Sequence, residues 1–138
     1  FTMILTYDNN IVLQHRKHPA FDGYFDLTFS SHQIYVHEVL QTDEDAIYET
    51  LKRELNIYST GLKTIPKYLG KLYYKAKDPN GIFTEHEVDY IYIAELKNIP
   101  NPNLDFAYGF ELIKNLKLSG IKNYKVAPWV EEIMKMIK

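Results

Sequence analysis

The sequence predicts an α/β (α+β) domain, a mixed β-sheet flanked by helices, and three features carry that prediction. Two pairs of β-prone segments are each joined by turn chemistry, one amphipathic helix with a start signal lies between them, and a proline-opened apolar segment closes the chain. Residues 1–6 and 11–15 are β-rich and separated by Asp8-Asn9-Asn10, residues that tolerate turn conformations, so they read as a hairpin. Residues 24–29 form a third short strand entered through Asp22-Gly23, and the polar run Ser30-Ser31-His32 starts a loop. Thr42 followed by Asp45 resembles a capping box, and Ile47, Leu51 and Leu55 recur every fourth residue, which predicts a helix over 43–55. Residues 68–76 and 82–96 are long β segments around Asp78-Pro79-Asn80-Gly81, a second hairpin. Pro100 and Pro102 make 98–103 a loop. A strand near 106–109 and short helices near 110–117 and 129–137 follow.

A chain of 138 residues is long enough to bury a core without disulfides, so 1–138 reads as one domain, and there are no cysteines to form disulfides or thiolate metal sites. No apolar run approaches the ~20 residues that span a bilayer, and the first residues lack a signal-peptide pattern, so no membrane partner and a cytoplasmic location are expected. A net charge of -2 with dispersed Lys and Arg offers no footprint for a nucleic acid polymer, while leaving room for a local anion site. The twelve tyrosines and seven phenylalanines sit mostly in strand-like alternation, where packing accounts for them.

Because side chains alternate along a strand, Glu85 and Glu87 project to one face and His86 to the other. Two carboxylates so placed repel unless a cation or proton lies between them, which suits a metal ligand, a raised-pKa acid, or both. A half-exposed strand edge is the alternative. In the helix, Glu49-Thr50-Leu51-Lys52-Arg53-Glu54-Leu55-Asn56-Ile57 resembles the second half of a Nudix box, whose carboxylates hold magnesium against a diphosphate. Of the three box carboxylates only the last is present, at Glu54, and a solvated helix face is the plain reading of this segment alone.

Four separated segments, taken in order, resemble type I isopentenyl-diphosphate isomerases of the Nudix superfamily. Phe21-Asp22-Gly23-Tyr24-Phe25 with Ser30-Ser31-His32 is similar to that family's Phe/Trp-Pro-Gly followed by Cys-Gly/Ser-His. Lys75-Ala76, the Asp-Pro-Asn-Gly turn and Glu85-His86-Glu87-Val88-Asp89-Tyr90 resemble its Tyr-Lys-Ala, turn and Glu-His-Glu-Ile/Val-Asp-Tyr run. Ala127-Pro128-Trp129 resembles its Ser/Thr-Pro-Trp. The resemblance implies a Nudix fold and a small-molecule diphosphate substrate. It also implies a divalent metal at His32, Glu85 and Glu87, with Glu87 protonating a double bond and Tyr74 assisting. Glu54 would hold Mg2+ bound to the diphosphate, a second divalent metal being Mn2+ or Zn2+. Arg16 would contact the diphosphate, and Trp129 would face a developing carbocation, worth ~2 kcal/mol when desolvated.

Ser30 stands where the resembled family has a cysteine that transfers one proton, and an alcohol is much harder to ionise than a thiol, whose pKa is about 8.5. The family's two further metal histidines come from a segment ahead of the first strand; this sequence starts at Phe1, leaving a three-ligand set with His15 and His18 nearby in sequence. Three functions follow as expectations. The first is metal-assisted isomerisation of isopentenyl and dimethylallyl diphosphate, impaired by Ser30. The second is magnesium-dependent hydrolysis of a diphosphate-linked substrate. The third is a catalytically weak binding domain.

Overall fold

The computed structural model describes residues 1–114 and 118–137. Its main element is a seven-stranded mixed sheet of order β3-β2-β1-β8-β7, with β4 on β1 and β9 on β2. These strands are β1 (Thr2–Tyr7), β2 (Asn10–Arg16), β3 (Phe25–Leu27), β4 (Phe29–Ser30), β7 (Lys67–Lys77), β8 (Thr84–Glu95) and β9 (Ala107–Ile113). Between β4 and β7 lie a two-stranded ribbon, β5 (Tyr35–Val36) with β6 (Val39–Leu40), and helix α1 (Asp43–Leu55). Helix α2 (Pro128–Met136) is the last element.

The predicted elements recur with adjusted ends, and the reasons are local. Asp8 and Asn9 both take left-handed φ values, 49° and 61°, which closes the β1–β2 hairpin through residues that tolerate this region. Thr42 caps α1, its hydroxyl accepting the Asp45 N–H at 3.1 Å, and Asn56 ends the helix in the left-handed conformation (φ 56°, ψ 31°). The Asp78-to-Gly81 turn joins β7 to β8, with the Asp78 carboxylate accepting the Asn80 N–H at 3.0 Å.

β1 and β2 are covered on both faces. Ile4, Ile11 and Leu13 pack with Ile91 against α2 residues Trp129, Val130 and Ile133. Met3, Leu5 and Val12, one residue out of phase, pack against Ile47, Leu51 and Leu55 of α1. Continuous apolar runs in these strands therefore record burial on two sides, and the parallel β1–β8 pairing puts β8 beside them.

Three expectations need correction. The strand expected over 24–29 is divided at Thr28, whose hydroxyl accepts the Leu5 N–H and donates to the Val12 carbonyl, both at 2.8 Å. The ribbon β5–β6 lies where a loop was expected, with His37 and Glu38 at positive φ in its turn. The helix expected over 110–117 is replaced by β9 as far as Ile113, paired antiparallel with β2 from Arg16 to Ile11; residues 115–117 lie outside the described residues. Pairing satisfies backbone groups along one edge of a buried strand, an advantage no local helix propensity matches. Among the described residues no helix is long and apolar enough to cross a membrane.

Candidate functional site

All eight residues singled out from the sequence, Arg16, Ser30, His32, Glu54, Tyr74, Glu85, Glu87 and Trp129, line one pocket of about 220 Å3. Strand alternation supplies the first of them. On β8, Glu85, Glu87 and Asp89 face inward while His86, Val88 and Tyr90 are exposed. Tyr74 of β7 lies directly across from Glu87, and its phenol donates to Glu87 Oε2 in a long contact of 3.5 Å. From the loop after β4, His32 Nε2 reaches Glu87 Oε1 at 3.2 Å, with 72% of its side chain exposed.

Burial, a hydrogen bond with Glu85 and the like charge of Glu85 push the Glu87 carboxyl up to about 7. Burial, together with the charge of Glu87, also raises the Tyr74 phenol above its ordinary range, so it stays protonated. Glu87 thus keeps its proton up to near-neutral pH, within reach of an imidazole and a phenol. Two carboxylates and one imidazole are the donor types a divalent cation takes. As placed, though, His32 and Glu87 bond each other, and among the described residues no group of three His, Cys, Asp or Glu forms a ready-made metal cage. Glu54 stands apart from them, its carboxylate receiving Gln14 Nε2 at 3.4 Å and lying 3.6 Å from Arg53. Burial raises the Glu54 carboxyl above its usual range.

Asp26 organises the pocket floor, and the sequence reading did not single it out. Fully buried, it accepts from Arg16 Nη1 at 2.8 Å, from Ser30 Oγ at 3.0 Å and from Trp129 Nε1 at 2.8 Å. Arg16 is only 6% exposed and also donates to the Ala20 carbonyl at 2.9 Å, so its charge is already matched. Its guanidinium lies 5.3 Å from the Trp129 ring centroid, and Tyr74 stacks on the same indole at 5.3 Å. Ser30 Oγ also lies 2.9 Å from Thr2 Oγ1, which in turn donates to the buried Asp89 at 2.5 Å. The Ser30 hydroxyl therefore donates to Asp26 and lies against a second hydroxyl that donates to Asp89.

Five other residues complete the lining: Gln14, His18, Ser31, Arg53 and Phe106. His18 Nδ1 accepts the Ala20 N–H at 3.2 Å, which places the proton of the neutral ring on Nε2. His15 is elsewhere, stacked on Phe25 at 4.5 Å and bonded to the Gly23 carbonyl. Arg53 stands immediately before a singled-out Glu54, but its exposure to the pocket depends on residues 101–106, fifty positions away, which no local pattern reveals.

No protein-family model matches the sequence. Solved structures do. DR0079 from Deinococcus radiodurans superposes with a TM-score of 0.72 at 15% identity, over 99% of this chain and 80% of that one. A bifunctional NMN adenylyltransferase/ADP ribose pyrophosphatase from Francisella tularensis, complexed with AMP and Mn ion, superposes with a TM-score of 0.63 at 16% identity. The chain has the Nudix fold. It covers 97% of itself but only 38% of the Francisella protein, so it matches one part of that enzyme. The C-terminal domain of mouse MUTYH, in complex with human PCNA, shares the architecture at a TM-score of 0.54 and 14% identity. This Nudix-fold chain thus carries its eight-residue cluster on a scaffold shared with proteins of very different sequence.

Proposed function

We propose that the pocket binds a small diphosphate and shifts a double bond within its hydrocarbon part, interconverting isopentenyl and dimethylallyl diphosphate. The observation that carries this reading is the convergence of the eight residues, with Glu87 in contact with Tyr74 of the stacked Tyr74–Trp129 pair. Proton addition to an alkene needs an acid protonated near neutral pH and a site that excludes competing water. Glu87 supplies the first, and the Tyr74–Trp129 wall supplies part of the second.

In this reading Glu87 gives its proton to the terminal alkene carbon, and the π electrons form the new C–H bond, leaving a tertiary carbocation. A C–H bond next to such a cation is strongly acidic, so a weak base is enough to remove its proton. Ser30 Oγ takes that proton while its own passes to Asp26 Oδ2, 3.0 Å away, and the C–H electrons become the new double bond. His32 and Glu85, with the Glu87 oxygen that does not carry the proton, would hold a divalent cation such as Mg2+ or Mn2+, which would supply positive charge against the paired carboxylates.

Incubation with isopentenyl diphosphate and magnesium in heavy water, followed by NMR, tests the proposal. Deuterium enters the substrate with the wild-type protein, and Glu87→Gln lowers the rate by about a hundredfold or more, the usual contribution of a positioned general acid. Absence of exchange in the wild type sinks the isomerase reading. A second reading, metal-dependent hydrolysis of a diphosphate-linked compound, draws support from the similar Francisella structure, described as an ADP ribose pyrophosphatase with Mn ion, and from Glu54 on α1. Phosphate or nucleoside monophosphate release from a diphosphate panel, without exchange, favours that reading.

A further inference from the structure

We propose that Arg53, seated on Phe106, grips the phosphate end of the ligand; this rests on the diphosphate reading of the same pocket. Two guanidinium groups line the pocket, and they differ in what they have left to offer. Arg16 is buried and matched by Asp26, so a ligand phosphate would compete with a charge partner already at 2.8 Å. Arg53 is about half exposed, and its nearest carboxylate oxygen, on Glu54, is 3.6 Å away, a partly solvated pair that holds it weakly.

Among the described residues, the polar contacts of the Arg53 guanidinium run through one nitrogen. Nη2 lies 3.3 Å from Ser31 Oγ, 3.5 Å from Thr50 Oγ1 and 3.6 Å from Glu54 Oε2. Among the described residues, Nη1 and Nε bond no protein group. A guanidinium with part of its fork unused suits an anion that accepts two parallel hydrogen bonds, as phosphate oxygens do.

The group is also positioned before any ligand arrives. Its carbon lies 5.6 Å from the Phe106 ring centroid, a cation–π placement that restrains a long side chain. Phe106 is fixed in turn by a loop tied to the end of α1. The Asn103 amide N–H donates to the Glu54 carbonyl at 2.8 Å, Asn103 Nδ2 to the Arg53 carbonyl at 3.0 Å, and Asn56 Nδ2 to the Asn101 carbonyl at 3.1 Å. The first two bonds satisfy carbonyls that the end of α1 leaves open, and all three lock helix and loop together. Arg53 also occupies a position where the resembled box carries a carboxylate, so the charge offered to a ligand at this place on α1 is reversed.

Calorimetric titration with inorganic pyrophosphate, with and without magnesium, tests the assignment without requiring turnover. The wild-type protein binds the probe, and Arg53→Gln weakens binding about tenfold to a hundredfold, the range for losing a charge-assisted hydrogen bond or two. Arg53→Lys keeps the charge but loses the fork and falls between them, and Phe106→Leu weakens binding by a smaller factor. Wild-type affinity in Arg53→Gln, or no pyrophosphate binding by the wild type under either condition, overturns the assignment. Loss of binding in Arg53→Gln with no deuterium exchange in the wild type leaves the phosphate grip standing while the double-bond reading fails. Deuterium exchange by the wild type with unaltered pyrophosphate binding in Arg53→Gln has the opposite meaning.

Discussion

Asp26 shows how one buried side chain decides what its neighbours can do. It takes three hydrogen bonds, from Arg16, Ser30 and Trp129, and two of those residues look from the sequence like groups free to meet a ligand. Instead, Asp26 and the Ala20 carbonyl bind the Arg16 guanidinium, and the Trp129 indole is anchored by its N–H. Replacing Asp26 by Asn leaves a 94%-buried arginine without a counter-charge, a change that costs about 3–5 kcal/mol when one partner of a buried pair is removed. Urea denaturation of Asp26→Asn against the wild type measures this, and a loss below about 1 kcal/mol would mean that Arg16 finds another partner or water. Glu85 and Glu87 were legible as a same-face pair because strand alternation alone requires it. Asp26 was not, because Phe25-Asp26-Leu27 is locally an ordinary strand with one polar residue. Its meaning comes from residues 10 and 103 positions away in sequence.

Elements bring these residues to the pocket, and their reliability as sequence features varies. Helix α1 combines a cap, an acidic first turn of Asp43, Glu44 and Asp45, basic Lys52 and Arg53 in the last turn, and an apolar stripe that packs on the sheet. Each local signal agrees with the others, which is why its ends are found to the residue. Thr42→Ala removes the hydroxyl that accepts the Asp45 N–H and is expected to cost about 1 kcal/mol by thermal or chemical denaturation. No change in that variant would show that the N–H is satisfied equally well by water. Segment 107–113 is the opposite case. Phe110 and Ile113 are spaced as on a helix face, but six residues of a seven-residue strand pair with β2 instead. The tertiary edge decides, since β2 is buried and its backbone groups need partners.

At the scale of the whole molecule, carboxylates in and next to the pocket link stability to pH. Glu87 is pushed up to about 7, and burial raises Glu54 and Asp89 as well. Between the ordinary carboxylate range and about pH 7, the folded protein holds protons that the unfolded chain has released. These groups therefore favour folding below that window, and their contribution is lost as pH rises through it. The melting temperature of the metal-free protein is expected to fall from pH 5 to pH 8, and Glu87→Gln to flatten the slope. A slope unchanged in that variant would remove Glu87 from the linkage. Manganese competes with protons for its ligand side chains, so the rise in melting temperature on adding it is expected to be larger at pH 8 than at pH 5.5. The sequence by itself determined the alternating and helical periodicities, the caps and turns, and hence the mixed sheet with flanking helices, because these follow from chain geometry over a few residues. It also marked eight residues that meet in one pocket. Only the tertiary structure decided which of them retain free valence there. The charge of Arg16 is paired with Asp26, Glu54 stands apart from the Glu85–Glu87 pair, and Arg53, outside the eight, lies half exposed on Phe106. Charge pairing, desolvation and the seating of a side chain depend on atoms distant in sequence, which no local pattern contains.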